Sequence, residues 1–278
     1  MHALLILVIA TSISDAEAEF TRLAAQRPQI AGRAEIVRGF ERLINNHVGE
    51  EIAARSMLKI GTLFLLQDRS CNMVSDPQEA QVWFRRAMES AESGSKTWID
   101  ATSRVARDRR DASPRQPENL AESRQLFESI RPFVTDGSPP SIRLEYELFQ
   151  QSLREEKLKD AHQVAAKIKQ QISKLNPGQI DAGEKVQLEL LNELMAKALI
   201  GELQRSSAAD REQEIRLIRD EYQEIESVRA MAEKVISTFP KPRSIRKSKP
   251  LLGLAIINTI AVIAVAVVFV RRRQRARL

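Results

Sequence analysis

Apolar residues recur along most of the chain at spacings of three and four, which is the period of one helix face, and no alternating run of useful length appears. Ile36, Val37, Phe40, Leu43 and Ile44 make one stripe over Glu35–Val48. Ala54, Met57, Leu58, Ile60, Gly61, Phe64 and Leu65 make the next over Glu51–Leu66, and Ala80, Trp83, Phe84, Ala87 and Ala91 a third over Pro77–Ala91. The same spacing predicts helices over Trp98–Arg107, Asn119–Ile130, Ser141–Leu153, Leu158–Leu175, Ala182–Leu203 and Ala209–Phe239. The 11 prolines fall between these segments or before the last apolar stretch, where a missing N–H and a fixed φ do least harm. The expected fold class is all-α.

Two stretches break the amphipathic pattern. Leu251–Val270 is almost wholly Ala, Val, Ile, Leu and Phe, interrupted by Gly253, Asn258 and Thr259. At about 1.5 Å per residue such a helix covers roughly 30 Å, the hydrocarbon thickness of a bilayer, so one C-terminal transmembrane helix is expected over 251–270. The start carries an apolar run from Ala3 to Ala10 followed by small and polar residues, too short to span but the length of a signal-peptide core. Ala16 and Ala18 form an A-x-A site, so residues 1–18 read as a signal peptide cleaved before Glu19. No Lys or Arg precedes the apolar run, and the alternative is an ordinary first helix packed on its neighbour. Between the two stretches lies a helical domain, 19–240, then a basic Pro/Ser linker, 241–250; a basic tail, 271–278, follows the span.

Within the domain, Met57-x-x-Ile60-Gly61-x-x-Phe64 followed by Ala80-x-x-x-Phe84-x-x-Ala87 resembles the two helices of a tetratricopeptide (TPR) or Sel1-like repeat. Gly61 and Ala80 are small where paired helices approach, and Phe64 and Phe84 fill the space between them. Gln67 to Asp76 lengthens what is usually a short turn. Later pairs, around Ser123, Phe127 and Ile130 and around Ala161, Ala165 and Ile168, keep the spacing and lose some residue types. The resemblance implies antiparallel helix pairs stacked as an α-solenoid over roughly residues 50–175. The last segment, Asp210–Phe239, is long enough for either a capping helix or a short dimerising stalk, which leaves a homodimer open.

Charge changes the picture only when it is located. The chain carries 43 Lys and Arg against 37 Asp and Glu, a net +6. Ten of the bases and none of the acids lie after Pro240, whereas residues 19–240 hold 33 bases and 35 acids. The basic balance therefore belongs to the membrane flanks, with Lys247 and Lys249 before the span and Arg271, Arg272 and Arg273 after it, and gives no support for nucleic-acid binding. The lipid bilayer is the partner these residues imply. Bases balance across the span, so orientation follows the leader: if it is a signal peptide, the domain is exported and the tail stays cytoplasmic.

Candidate chemistry is sparse. One cysteine, Cys71, excludes an internal disulfide, and three histidines, with His47 and His162 far apart in sequence, argue against a metal site. No phosphate-binding glycine loop, zinc-protease helix or nucleophile-elbow pattern occurs, so no catalytic residue, cofactor or metal is expected. Arg104, Arg107, Arg109, Arg110 and Arg115 cluster around Ala106–Gln116, a stretch that could grip an acidic peptide or phosphate but lacks the interleaved aromatics that stack bases. Its simpler reading is a flexible loop before Pro114 and Pro117. No N-x-[ST] sequon is present, which fits a bacterial envelope protein. The expected function is a single-pass, non-enzymatic scaffold that binds a protein or peptide on the exported side of the cell membrane. The alternatives are a tail-anchored cytosol-facing adaptor and a structural subunit of a membrane enzyme complex.

Overall fold

The computed structural model describes residues 15–68, 73–175, 182–206 and 210–239. The apolar run 3–10, Cys71, the linker 241–250, the expected span 251–270 and the basic tail, with Lys247, Lys249 and Arg271 to Arg273, lie outside the described residues. The chain divides into two units after Ala232, and Glu233–Phe239 is the described part of the second. Among the described residues no helix is long and apolar enough to cross a membrane.

The described chain is helical, in keeping with the three-and-four spacing. The helices are α1 (15–24), α2 (Pro28–Ala31), α3 (Arg33–Asn46), α4 (Glu51–Leu65), α5 (Pro77–Ser90), α6 (Lys96–Asp111), α7 (Pro117–Ile130), α8 (Pro139–Arg154), α9 (Leu158–Lys174), α10 (Ala182–Arg205), α11 (Arg211–Glu221) and α12 (Glu226–Ser237), with a 3-10 turn at Arg131–Phe133. Local chemistry sets the starts. Asp76 caps α5 by accepting the Glu79 N–H at 3.0 Å, and Ser95 caps α6 by accepting the Trp98 N–H at 3.1 Å. Pro77, Pro117 and Pro139 occupy first-turn positions, where the N–H would have no helical partner anyway.

Each helix from α2 to α10 packs on the next, and α4 also reaches α6, α6 reaches α8 and α8 reaches α10. The cores follow this order. Ala16, Phe20 and Leu23 of α1 join Ile36, Val37, Phe40 and Leu43 of α3, Ile52 and Ile60 of α4 and Trp83 of α5. Phe64 links this cluster to Ala80, Phe84 and Val105, and Leu126 links that one to Ala106, Phe127, Ile130, Leu144 and Leu148. After α4, the described residues on either side of 69–72 are held to one another and to their neighbours. Asp68 and Met73 exchange backbone bonds at 2.9 Å, Asp76 N–H donates to the Phe64 carbonyl at 2.7 Å, and Arg33 Nη1 donates to the Val74 carbonyl at 2.7 Å.

Residues 15–18, read from sequence as the end of a leader, belong to α1. Ala16 is 5% exposed, Glu17 pairs with Arg55 at 2.5 Å, and the Arg55 guanidinium lies 4.3 Å from the Phe20 ring centroid. The expected single helix over Asp210–Phe239 is two: α11 ends at Glu221, and a turn through Tyr222–Ile225 restarts the chain as α12. The stripe of Ile215, Ile218 and Tyr222 is buried within the chain, where α11 packs on α10 and Lys169 lies 4.4 Å from the Tyr222 ring. Self-association through this segment would have to use its other faces.

α4 and α5 approach closely at Gly61. A Cβ there would stand 2.5 Å from Phe84 Cε1 and 3.1 Å from the Ala80 carbonyl oxygen. The ring is fully buried and the carbonyl belongs to helix backbone, so neither gives way without moving α5. Gly61→Ala is expected to destabilise by about 1–2 kcal/mol even though alanine gains up to about 1 kcal/mol of helix propensity. Urea unfolding of the two proteins checks the sign.

A buried polar lattice fixes α6 against α7 and α8. The Ser123 hydroxyl lies 2.8 Å from the Ala106 carbonyl and 2.9 Å from Gln151 Oε1, and Gln151 Nε2 donates to the Leu120 carbonyl and to Glu155, each at 2.8 Å. Arg124 grips Glu155 with two bonds of 2.9 Å, and Lys157 adds a third charge at 2.7 Å. Burial alone would raise the Glu155 pKa; the donors Arg124, Lys157 and Gln151 outweigh it and hold it at about 2, against an ordinary 4.5. A depressed carboxylate stabilises the fold above its unfolded pKa. That contribution, on the order of 2 kcal/mol after allowance for screening, drains away as pH falls from about 4.5 to about 2. Urea midpoints measured across this window should drop more steeply for the native protein than for Glu155→Gln.

Candidate functional site

α6 runs four residues beyond its expected end, so Arg107–Asp111, read from sequence as part of a loop, lie on a helix. The reason is tertiary. Arg110 is 9% exposed, donates to Glu147 Oε2 of α8 at 2.8 Å, binds Asp111 at 3.2 Å and lies 5.8 Å from the Phe127 centroid. Burial alone would lower the Arg110 pKa, and the carboxylates of Asp111 and Glu147 turn the balance upward. Arg107 shares Glu147 at 2.7 Å, and Arg109 pairs with Glu122 at 2.9 Å. Arg115 pairs with Glu156 at 3.1 Å. The charges that look like a basic patch in sequence are therefore mostly neutralised in place.

Arg104 differs. It is half-buried, makes no ion pair among the described residues, and rests 5.0 Å from the centroid of the Phe84 ring. Burial pushes its pKa down and the neighbouring Arg107 charge pushes it further, against the opposing charge of Asp100. It lines a cleft of about 340 Å³ where the end of α4 and the middle of α5 face the C-terminal half of α6. Leu65 stands at the rim, 38% exposed. Gln81 and Phe84 come from α5, and Arg107 and Asp108 from α6. The Gln81 Oε1 atom is buried and has no hydrogen-bond partner among the described residues. Asp108 is half-buried, and burial raises its pKa against the opposing charges of Arg109 and Arg85. The cleft thus presents a guanidinium on an aromatic floor, a vacant amide acceptor and a separate carboxyl.

A second, larger trough of about 590 Å³ opens beside Arg115, Arg154, Leu158 and Arg205. Its cations are already answered: Arg115 by Glu156, Arg205 by Glu202 at 2.6 Å and Arg154 by Asp111 at 3.5 Å. Among the described residues no three His, Cys, Asp or Glu side chains are placed to hold a metal ion. His47 lies 3.1 Å from Glu50. His162 is a helix residue of α9 whose Nε2 is buried without a partner, and burial lowers its pKa against the charges of Glu214 and Glu221.

The residues singled out for repeat packing divide between two clusters. Ile60, Ala80, Phe84 and Ala87 are fully buried. Gly61, Ala80, Phe84 and the partly buried Phe64 meet between α4 and α5, while Met57 and Ile60 face the first cluster with α1 and α3. Ser90 Oγ lies 3.7 Å from the Met57 sulfur. Phe84 does double duty, as packing core and as floor of the cleft. Sequence reasoning missed Gln81 and Asp108 as site residues. The available signal was spacing: Arg104 and Asp108 are four apart on one helix face, and Gln81 and Phe84 are three apart on another. No family model, no curated protein and no solved structure matches the chain.

Proposed function

We propose that this protein is a membrane-anchored, non-catalytic interaction scaffold, in which TPR-like helix pairs stack as an α-solenoid and the apolar stretch 251–270 confines them to a bilayer. The observation that carries the reading is the α4–α6 cleft, where the Arg104 guanidinium has no ion pair and the buried Gln81 Oε1 no hydrogen-bond partner among the described residues. Contacts of α4 with α6, α6 with α8 and α8 with α10 support stacking of alternate helices in one layer, the arrangement that gives a solenoid an extended binding face. On α10, Val186, Leu190 and Leu194 add an exposed apolar row at four-residue spacing.

A photo-reactive amino acid at Val82, exposed beside Gln81, tests the scaffold in the full-length protein in its membrane. A partner adduct is the expected product. Adducts made solely between copies of the chain would replace the scaffold with a self-associating stalk.

Orientation has two readings. Export with a cytoplasmic basic tail follows from a leader cleaved before Glu19. The cytosol-facing, tail-anchored alternative is favoured by one observation: Ala16 is buried in the first core and Glu17 pairs with Arg55. The amino-terminal sequence of the mature protein separates the two, because a start at Glu19 sinks the second.

A further inference from the structure

We propose that the α4–α6 cleft recognises a peptide carboxylate, taken by the Arg104 guanidinium above Phe84 while an N–H of the same segment donates to Gln81 Oε1. This deepens the scaffold reading and rests on it.

The contrast along α6 points there. Arg107, Arg109 and Arg110 each have a carboxylate within 3 Å, whereas Arg104 on the same helix is half-buried with none among the described residues. A cation drawn partly out of water with no ion-pair partner among the described residues, and with Asp100 acting on it only from beyond ion-pair distance, loses hydration that is not returned in full. The buried Gln81 Oε1 forfeits a water hydrogen bond in the same way. Two such costs in one cleft are relieved together by a ligand that brings an anion and a donor, which is what a stretch of peptide around an acidic group offers. The planar guanidinium is pre-set by the ring beneath it to meet a carboxylate edge-on with two N–H groups.

The cleft also restricts the anion. Asp108 lines the same wall, so a phosphate or a polyanionic nucleic-acid backbone would carry its additional charge against it. A single carboxylate leaves room for Asp108 to accept a further N–H. The exposed Leu65 gives the flanking residue of a peptide an apolar contact at the rim. The volume of about 340 Å³ suits a few residues rather than a folded partner.

The test uses the full-length protein in nanodiscs and three dye-labelled peptides followed by fluorescence anisotropy. One has a Leu-Glu pair with both chain ends blocked, the second is its Leu-Gln twin, and the third has Leu followed by a free chain end. The Glu peptide or the free-ended peptide should bind at least about tenfold more tightly than the Gln twin, and which of the two does so tells a side-chain carboxylate from a terminal one. Arg104→Gln should erase that preference. Arg104→Met should raise Tm while abolishing it, because it removes an unpaired, partly desolvated charge and keeps the contact with Phe84. Equal binding of all three peptides, including no binding of any, overturns the proposal, as does a preference that survives Arg104→Gln. A lowered Tm for Arg104→Met would make Arg104 a clamp between α5 and α6 and would overturn it too. If the Val82 adduct persists while the carboxylate preference is missing, the scaffold stands and the carboxylate falls; if the preference is intact and no adduct with another protein forms, the reverse holds.

Discussion

Replacing Phe84 with alanine is expected to destabilise the protein by about 3–5 kcal/mol, the largest effect of any single truncation near the cleft. The ring is fully buried and packs with Ala80 and Val105 while Phe64, Leu58 and Met88 close around it. The cavity left behind could not collapse easily, because interiors are close-packed and Gly61 has no side chain to move into the space the ring leaves. The loss should come with a second signature. Without the ring, the Arg104 guanidinium loses the surface that orients it, so any ligand affinity of the cleft should fall in conditions where the variant is still folded. Urea unfolding monitored by far-UV circular dichroism measures the first effect, and a destabilisation under about 1 kcal/mol would show that α4 and α5 close over the void.

The second large effect is expected at Gln151, which is fully buried on α8. Gln151→Ala removes one side chain and strands three groups at once: the Leu120 carbonyl, the Ser123 hydroxyl and one bond to Glu155. Each unanswered buried group costs about 1–3 kcal/mol, but Ser123 still reaches the Ala106 carbonyl and Glu155 still has Arg124, so a total of about 2–4 kcal/mol is expected. Gln150→Ala, one residue earlier, gives up a bond to Tyr146 at 3.1 Å in a partly exposed place and should cost no more than about 1 kcal/mol. Comparable losses from the two substitutions would show that the lattice between α7 and α8 is held by apolar packing and not by its hydrogen bonds.

The helices between Glu51 and Lys174 were legible to within a few residues because their signals are local. Three-and-four spacing sets the buried stripe, and prolines with Asp76, Ser95 and Ser138 mark the starts. The end of α6 was not legible, because five charges in a row look like solvated loop until the partners of Arg110, 37 residues away in sequence at Glu147, are in place. The break after Glu221 carries no Gly or Pro; its one trace in the sequence is the shift of apolar phase at Val228. Half of the candidate site was readable in the same local way, since Phe84 declares itself by spacing. The rest depends on which charges find partners. Nothing in the sequence distinguishes Arg104 from Arg107, and the difference arises only when α8 brings Glu147 to one of them and not to the other.

The docking of residues 15–24 has a kinetic meaning. A peptidase reads its substrate as an extended strand, and the bond between Ala18 and Glu19 lies inside a helix whose Ala16, Phe20 and Leu23 are buried against α3 and α4. If a leader is cleaved before Glu19, folding and processing compete for the same few residues. Cutting at this bond has to win the race while the nascent chain is still unfolded, and a chain that folds first shields the site behind the opening free energy of its own first core.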